Sequence, residues 1–184
     1  RKLLEKEKLD AVFVPTTTHA RALIAITALQ AGLHVYAEKP VCLTISEGRT
    51  LVKAARKYKK VFQVGTQQRS LPSNVYASKL VREGAIGKVK EVIACNFLPP
   101  ERWTPPPAET QPNDLDWDMW CGPTEKVACH KDLYTPRANP GWLSFRPYSG
   151  GEMTGWGAHG FDMVQLALGM DAGGPIEVWT EGPK

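Results

Sequence analysis

No apolar run in the sequence reaches the roughly 18 to 20 residues that cross a bilayer, and the first residues lack the pattern of a signal peptide. The chain is therefore expected to be soluble, with no membrane partner. Cysteine is sparse: Cys42, Cys95, Cys121 and Cys129 are four among 184 residues, with no C-x-x-C pair and no closely spaced histidines. That argues against a zinc site and a disulfide framework, and predicts buried thiols in a reducing compartment. A basic stripe interleaved with aromatics is also missing. The 23 Lys and Arg against 19 Asp and Glu leave +4 spread over amphipathic segments, so no nucleic-acid partner is expected. Internal repeats and low-complexity tracts are absent. What remains, 42% hydrophobic and 23% charged, is the composition of a globular protein with a core.

The first half alternates strands and helices. The apolar stretch 10–14 reads as a strand, and the helix after it carries Ala22, Ile26 and Leu29 on one face before Gly32 stops it. Residues 34–37 read as the next strand. Thr44 and Glu47 form a T-x-x-E capping box opening a helix with Leu51, Ala55 and Tyr58 on one face. Residues 61–64 give a third strand, 74–83 a helix, and 87–97 a longer strand. This order predicts a parallel sheet. Six of the 15 prolines then fall between 99 and 112, which excludes a helix or central strand there. Beyond it, Phe161, Val164 and Leu168 have helical spacing, and 175–181 alternates like a strand. A doubly wound nucleotide-binding domain opens with a strand, a glycine-rich turn and a helix, whereas residues 1–9 read as the tail of a helix. The expectation is a piece of a longer protein.

In open parallel sheets ligands sit beyond the carboxyl ends of the strands. The first strand is followed by Pro15-Thr16-Thr17-Thr18-His19, whose hydroxyls either cap the next helix or face a phosphate or ribose. The second is followed by Glu38-Lys39-Pro40. Proline holds the residue before it extended, which fixes the exit of Lys39: a cation for a ligand oxygen, or half of a solvated pair. After the third strand, Arg69 suits a phosphate or a neighbouring carboxylate. In the second half, five glycines surround His159, whose imidazole suits proton transfer near neutrality or a structural role. Asp162, one turn on, orients it or favours the helix start.

The segments DAVFVPTTTHARALIAITALQAGLHVYAEKP, VFQVGTQQRS, GAIGKVKEV and GGEMTGWGAHGFDMVQLALGMD together resemble the Gfo/Idh/MocA oxidoreductases, named for glucose-fructose oxidoreductase and inositol dehydrogenase. The resemblance implies an α/β fold: the C-terminal half of a Rossmann-type parallel sheet, followed by part of an α+β domain with a mostly antiparallel sheet. It divides the chain into a partial dinucleotide-binding domain at 1–97 and a partial substrate and oligomerisation domain at 98–184. It implies an NAD(P)-dependent oxidoreductase passing hydride between a sugar, polyol or related hydroxy compound and the nicotinamide of NAD or NADP. A glycoside-cleaving enzyme using transient oxidation, and a non-catalytic ligand-binding relative, are the alternatives. Lys39 and His159 match the catalytic lysine and acid/base histidine. Thr16, His19, Glu38, Pro40 and Arg69 fall on the cofactor side, and Asp162 on the substrate side. The intact protein is expected to be a cytoplasmic homo-oligomer, with export left open by the missing start. One departure stands out: the pattern usually has an aspartate four residues before the histidine, and this sequence has Gly155. A glycine there implies either a lost carboxylate or a left-handed backbone.

Overall fold

In the first 66 residues a short apolar segment is followed three times by a polar turn, and each apolar segment becomes a parallel strand. The computed structural model describes residues 2–95, 104, 106–135 and 141–181. Helix α1 (Lys2–Lys6) leads into β1 (Ala11–Val14), α2 (Thr18–Gln30), β2 (His34–Glu38), α3 (Ile45–Tyr58) and β3 (Phe62–Gly65). The sheet order is β1-β2-β3, both pairs parallel, with Ala11 opposite His34 and Glu38 opposite Gly65. The expected capping box is formed: Glu47 N–H donates to Thr44 Oγ1 at 3.2 Å, and Thr44 N–H to Glu47 Oε2 at 3.1 Å.

The core is made of small residues on α2 against β-branched residues of the sheet. Ala22, Ala25, Ala28 and Leu29 of α2 pack with Val14, Val35 and Ala37, and with Leu51 and Ala54 of α3. Alanines at this spacing bring the helix axis close to the strands, and Leu29, fully buried, supplies the bulk. Truncating it to alanine costs about 2 to 5 kcal/mol on the usual scale of core cavities.

The chain divides into two compact units, residues 1–66 with 96–158, and residues 67–95 with 159–184. Within the first unit a second cluster forms around α5 (Trp117–Cys121) and α6 (Lys131–Tyr134), where Trp117, Cys121, Cys129, Leu133, Phe145 and Tyr148 are buried. Trp117 and Trp120 stack with centroids 4.7 Å apart, and the Trp117 indole N–H donates to the Val127 carbonyl at 2.7 Å. Helix α7 (Glu152–Gly155) closes the unit. Its entry needs Gly150 and Gly151: Gly151 has φ 71°, and a Cβ on Gly150 would come within 2.6 Å of Thr154.

The second unit contains a 3-10 turn at Gln67–Ser70, then α4 (Pro72–Arg82), and, beyond α7 in the chain, most of α8 (Gly157–Leu168). Helix α4 begins earlier than its apolar spacing suggests because Pro72, with its fixed φ and no N–H, occupies the first turn.

Two expectations are corrected. Residues 87–95 and 175–181 form no strand; 96 and 97 lie outside the described residues. Among the described residues the three parallel strands are the only sheet, so neither segment has a ladder neighbour, and the apolar side chains that suggested a strand stay exposed, Ile93 at 82% and Val178 at 79%. The thiols are not uniformly buried either. Cys121 and Cys129 are, whereas Cys42 is half-buried and Cys95 exposed; all four are free. Among the described residues no helix is long and apolar enough to cross a membrane.

Candidate active site at the ends of the parallel strands

The loops after β1 and β2 meet through one side chain that the sequence reading passed over. Arg21, one turn into α2, donates from Nη2 to the Thr16 carbonyl and from Nη1 to the Pro40 carbonyl. It is 4% exposed, and burial lowers its pKa to about 10 against the opposing field of Glu38. The signal was its spacing: Arg21 falls four and seven residues before Ala25 and Ala28, on the buried face of α2. A cation on that face needs acceptors inside the protein.

Thr17 is the N-cap of α2, but its hydroxyl makes no capping bond. The Thr16 and Thr18 hydroxyl oxygens are buried and have no hydrogen-bond partner among the described residues. His19 departs from the expectation that it faces a cofactor. It is 2% exposed, lies 5.3 Å from the Trp120 ring and 5.1 Å from Tyr148, and its Nε2 bonds to the Trp120 carbonyl at 2.9 Å. Burial lowers its pKa, with Arg21 adding in the same sense.

Glu38 ends β2 opposite Gly65, and a Cβ on Gly65 would lie 3.1 Å from the Glu38 carboxylate. The missing side chain lets the carboxylate rest over the end of β3, where it also accepts from the Lys39 backbone N–H at 3.3 Å. The Lys39–Pro40 peptide is cis. Lys39 Nζ donates to the Gly155 carbonyl at 3.1 Å and lies 5.9 Å from the centre of the Trp156 ring. Burial lowers its pKa, opposed by Glu38 and, more weakly, by Glu152.

These groups wall a cavity of about 280 Å³ in the first unit, with Thr18, Arg21, Glu38, Lys39 and Glu152 supplying polar lining and Pro40, Trp142, Leu143 and Trp156 apolar lining. Gly155 is helical, outside the left-handed region, so its glycine is not required by backbone strain.

In the second unit Arg69 is held by two carboxylates, Nε to Asp162 Oδ2 at 2.7 Å and Nη1 to Asp171 Oδ1 at 2.8 Å. The bond to Asp162 foremost raises its pKa above the ordinary arginine value. The carboxylate of Asp162 is thus directed to Arg69. His159 lies half-buried in the first turn of α8 and Asp162 one turn on. Among the described residues no cluster of His, Cys, Asp and Glu could hold a metal ion.

Residues 1–66 match an oxidoreductase family's NAD-binding Rossmann fold, and residues 102–184 match the C-terminal alpha/beta domain of the same family. The chain belongs to the Gfo/Idh/MocA oxidoreductases. Among curated Gfo/Idh/MocA relatives, a levoglucosan dehydrogenase of Pseudarthrobacter phenanthrenivorans is 33% identical over 89 residues, 48% of this chain and 23% of that protein. A 2,7-anhydro-N-acetylneuraminate hydratase of Mediterraneibacter gnavus is 30% identical over 87 residues, 47% of this chain and again 23% of the relative. The match therefore spans under a quarter of each relative. The crystal structure of an oxidoreductase domain protein from Kribbella flavida is 29% identical and superposes with a TM-score of 0.61, covering 92% of this chain and 38% of that one.

Proposed function

We propose that the intact protein is an NAD(P)-dependent oxidoreductase of a sugar, polyol or related hydroxy compound. The observation that carries the reading is Lys39: a partly buried ammonium at the carboxyl end of a parallel strand, fixed by one bond to Gly155 and facing a cavity. An ammonium has three donors, so two are left for a ligand oxygen.

The residues present fit a dinucleotide on one structural ground, the buried and unpartnered hydroxyls of Thr16 and Thr18 at the end of β1. Thr16, Thr18, Glu38 and Pro40 would hold it. A nicotinamide dinucleotide bound there supplies the hydride acceptor. Lys39 stabilises the substrate oxygen as it becomes a carbonyl, and His159 takes the hydroxyl proton. His19 and Arg69 act on the cofactor side by positioning, His19 through Trp120 and Arg69 through Asp162 and Asp171; the substrate role of Asp162 then includes setting that guanidinium. In this reading residues 1–97 form the dinucleotide-binding part and 98–184 the substrate and oligomerisation part of a cytoplasmic homo-oligomer.

The test is the intact protein with NAD or NADP and a panel of sugars and polyols, followed by absorbance of the reduced nicotinamide. Turnover of one member with net reduction supports the reading. A second reading, transient oxidation followed by cleavage of a glycosidic bond, draws on the relative named as a hydratase of an anhydro sugar. It predicts product without net consumption of NAD. Dinucleotide binding with no turnover of either kind would leave a ligand-binding relative.

A further inference from the structure

The charges around the Lys39 cavity are balanced: Arg21 and Lys39 against Glu38 and Glu152. An anionic group placed here would meet both carboxylates and a cationic one both cations, so the part of a ligand that this lining faces is neutral and rich in hydroxyls, as a polyol or a ribose is. Three of the four groups have partners that define them. Arg21 bonds to the Thr16 and Pro40 carbonyls, Glu38 accepts from the Lys39 backbone, and Lys39 bonds to Gly155. Glu152 acts on Lys39 through space. It is half-buried at the first position of α7, three residues before Gly155 and so on the same helical face. A Cβ built on Gly155 would lie 3.3 Å from Glu152 Oε2. The Glu152 carboxylate thus reaches the space that a side chain at 155 would enter, beside the carbonyl that anchors Lys39.

We propose that Glu152 is the hydroxyl-accepting carboxylate of this cavity, pairing with Lys39 to read two neighbouring hydroxyls of a neutral polyol. Lys39 Nζ donates to the oxygen that reacts, and Glu152 accepts from the O–H beside it. A donor-only and an acceptor-only group together fix which of two adjacent hydroxyls is oxidised. The inference deepens the oxidoreductase reading and rests on it for the reaction, though not for the Glu152–Lys39 pairing.

The experiment uses the intact protein and has two arms. In the first, Lys39 is titrated by competitive labelling with acetic anhydride across pH, read by peptide mass spectrometry. Glu152→Gln shifts the Lys39 titration to lower pH, and adding Gly155→Asp in that background shifts it back. In the second, kcat/KM is measured on whichever of myo-inositol, D-glucose and levoglucosan the wild type oxidises. Glu152→Gln lowers it by about tenfold or more, the scale of a hydrogen bond to a charged group. Glu152→Asp keeps the Lys39 titration while losing activity through the shorter reach, a result that a folding defect does not give. If none of the three is oxidised by the wild type, the oxidoreductase reading loses its support on these probes, and the titration arm alone decides the pairing. A Lys39 titration unmoved by Glu152→Gln, or an unchanged kcat/KM on an oxidised probe, overturns the proposal.

Discussion

Lys39 Nζ donates to the main-chain carbonyl of Gly155 at 3.1 Å, so the cation is held by backbone from a segment 116 residues further along the chain. Because the acceptor is a carbonyl, the bond does not neutralise the ammonium. It aims the charge at the cavity and leaves it unneutralised.

Replacing that charge by an isosteric apolar chain should therefore act on the transition state more than on binding. Lys39→Met is expected to lower turnover by a factor on the order of 100 or more, with dinucleotide affinity within a few fold. Methionine can still pack on Trp156, so the fold should survive. Steady-state kinetics with a parallel dinucleotide titration decide it; near wild-type turnover would remove the catalytic role of Lys39.

Arg21 is expected to be structural first. Its guanidinium ties the loop after β1 to the loop after β2, each bond being one of a charged donor to a carbonyl. Removing it in Arg21→Met should cost on the order of 3 to 6 kcal/mol in urea unfolding, since two hydrogen bonds from a charged group are lost and each is worth about 1.5 to 3 kcal/mol. Arg21→Lys should recover less than half, because an ammonium lacks the fork that spans two carbonyls. Equal stability of Arg21→Lys and wild type would remove the bridging role.

The legible parts of this molecule are those written in local chemistry. The Thr44–Glu47 box, the Ala22–Ile26–Leu29 face of α2 and the three short strands each depend on neighbours within a few residues or on a period, and each formed. Strand ends also made legible that Glu38 and Lys39 stand together at the carboxyl end of β2, where both line the cavity. What escaped depends on distant partners. The role of Arg21 depends on two carbonyl acceptors in separate loops, which no local pattern announces. His19 looked like a ligand group because its partner, Trp120, stands 101 residues away. Segments 87–95 and 175–181 carry a strand's alternation, but a strand is completed only by a neighbour, and alternation says nothing about whether one is at hand.

Stability should weaken on mild acidification through His19. Its folded-state pKa lies below the ordinary histidine value because burial disfavours the imidazolium. Between the folded pKa and about 6.5 the unfolded chain binds the proton and the folded one does not, so stability is full above about 6.5 and falls as pH drops below it. Melting temperature should decline from pH 7.5 to 5.5, and His19→Gln, which keeps a donor for the Trp120 carbonyl, should flatten that slope. An identical slope in the variant would assign the acid sensitivity to other groups.

The last prediction concerns the glycine at 155. Restoring an aspartate there invites the expectation of a gain, since the related pattern usually has one. The geometry argues the opposite while Glu152 is present. Backbone strain is not the obstacle: Gly155 is helical, and replacing a helical glycine is favourable by about 0.5 to 1 kcal/mol in backbone terms. Sterically the new Cβ meets, among the described residues, only Glu152 Oε2 at 3.3 Å, the far end of a flexible side chain that can give a few tenths of an ångström. The obstacle is charge. Two carboxylates in that space cannot both ionise without penalty, so one takes a raised pKa and the pair titrates as a unit. Gly155→Asp should stay folded, with a melting temperature within a few degrees of wild type. Its kcat/KM should not exceed wild type at neutral pH, and its pH–rate profile should gain an acidic limb displaced upward. Adding Glu152→Gln should remove that limb and restore activity, because a single carboxylate again occupies the space beside the residue 155 carbonyl. Turnover that rises in Gly155→Asp with Glu152 intact would mean that the two positions do not share one site, and that a carboxylate at 155 does work Glu152 leaves undone.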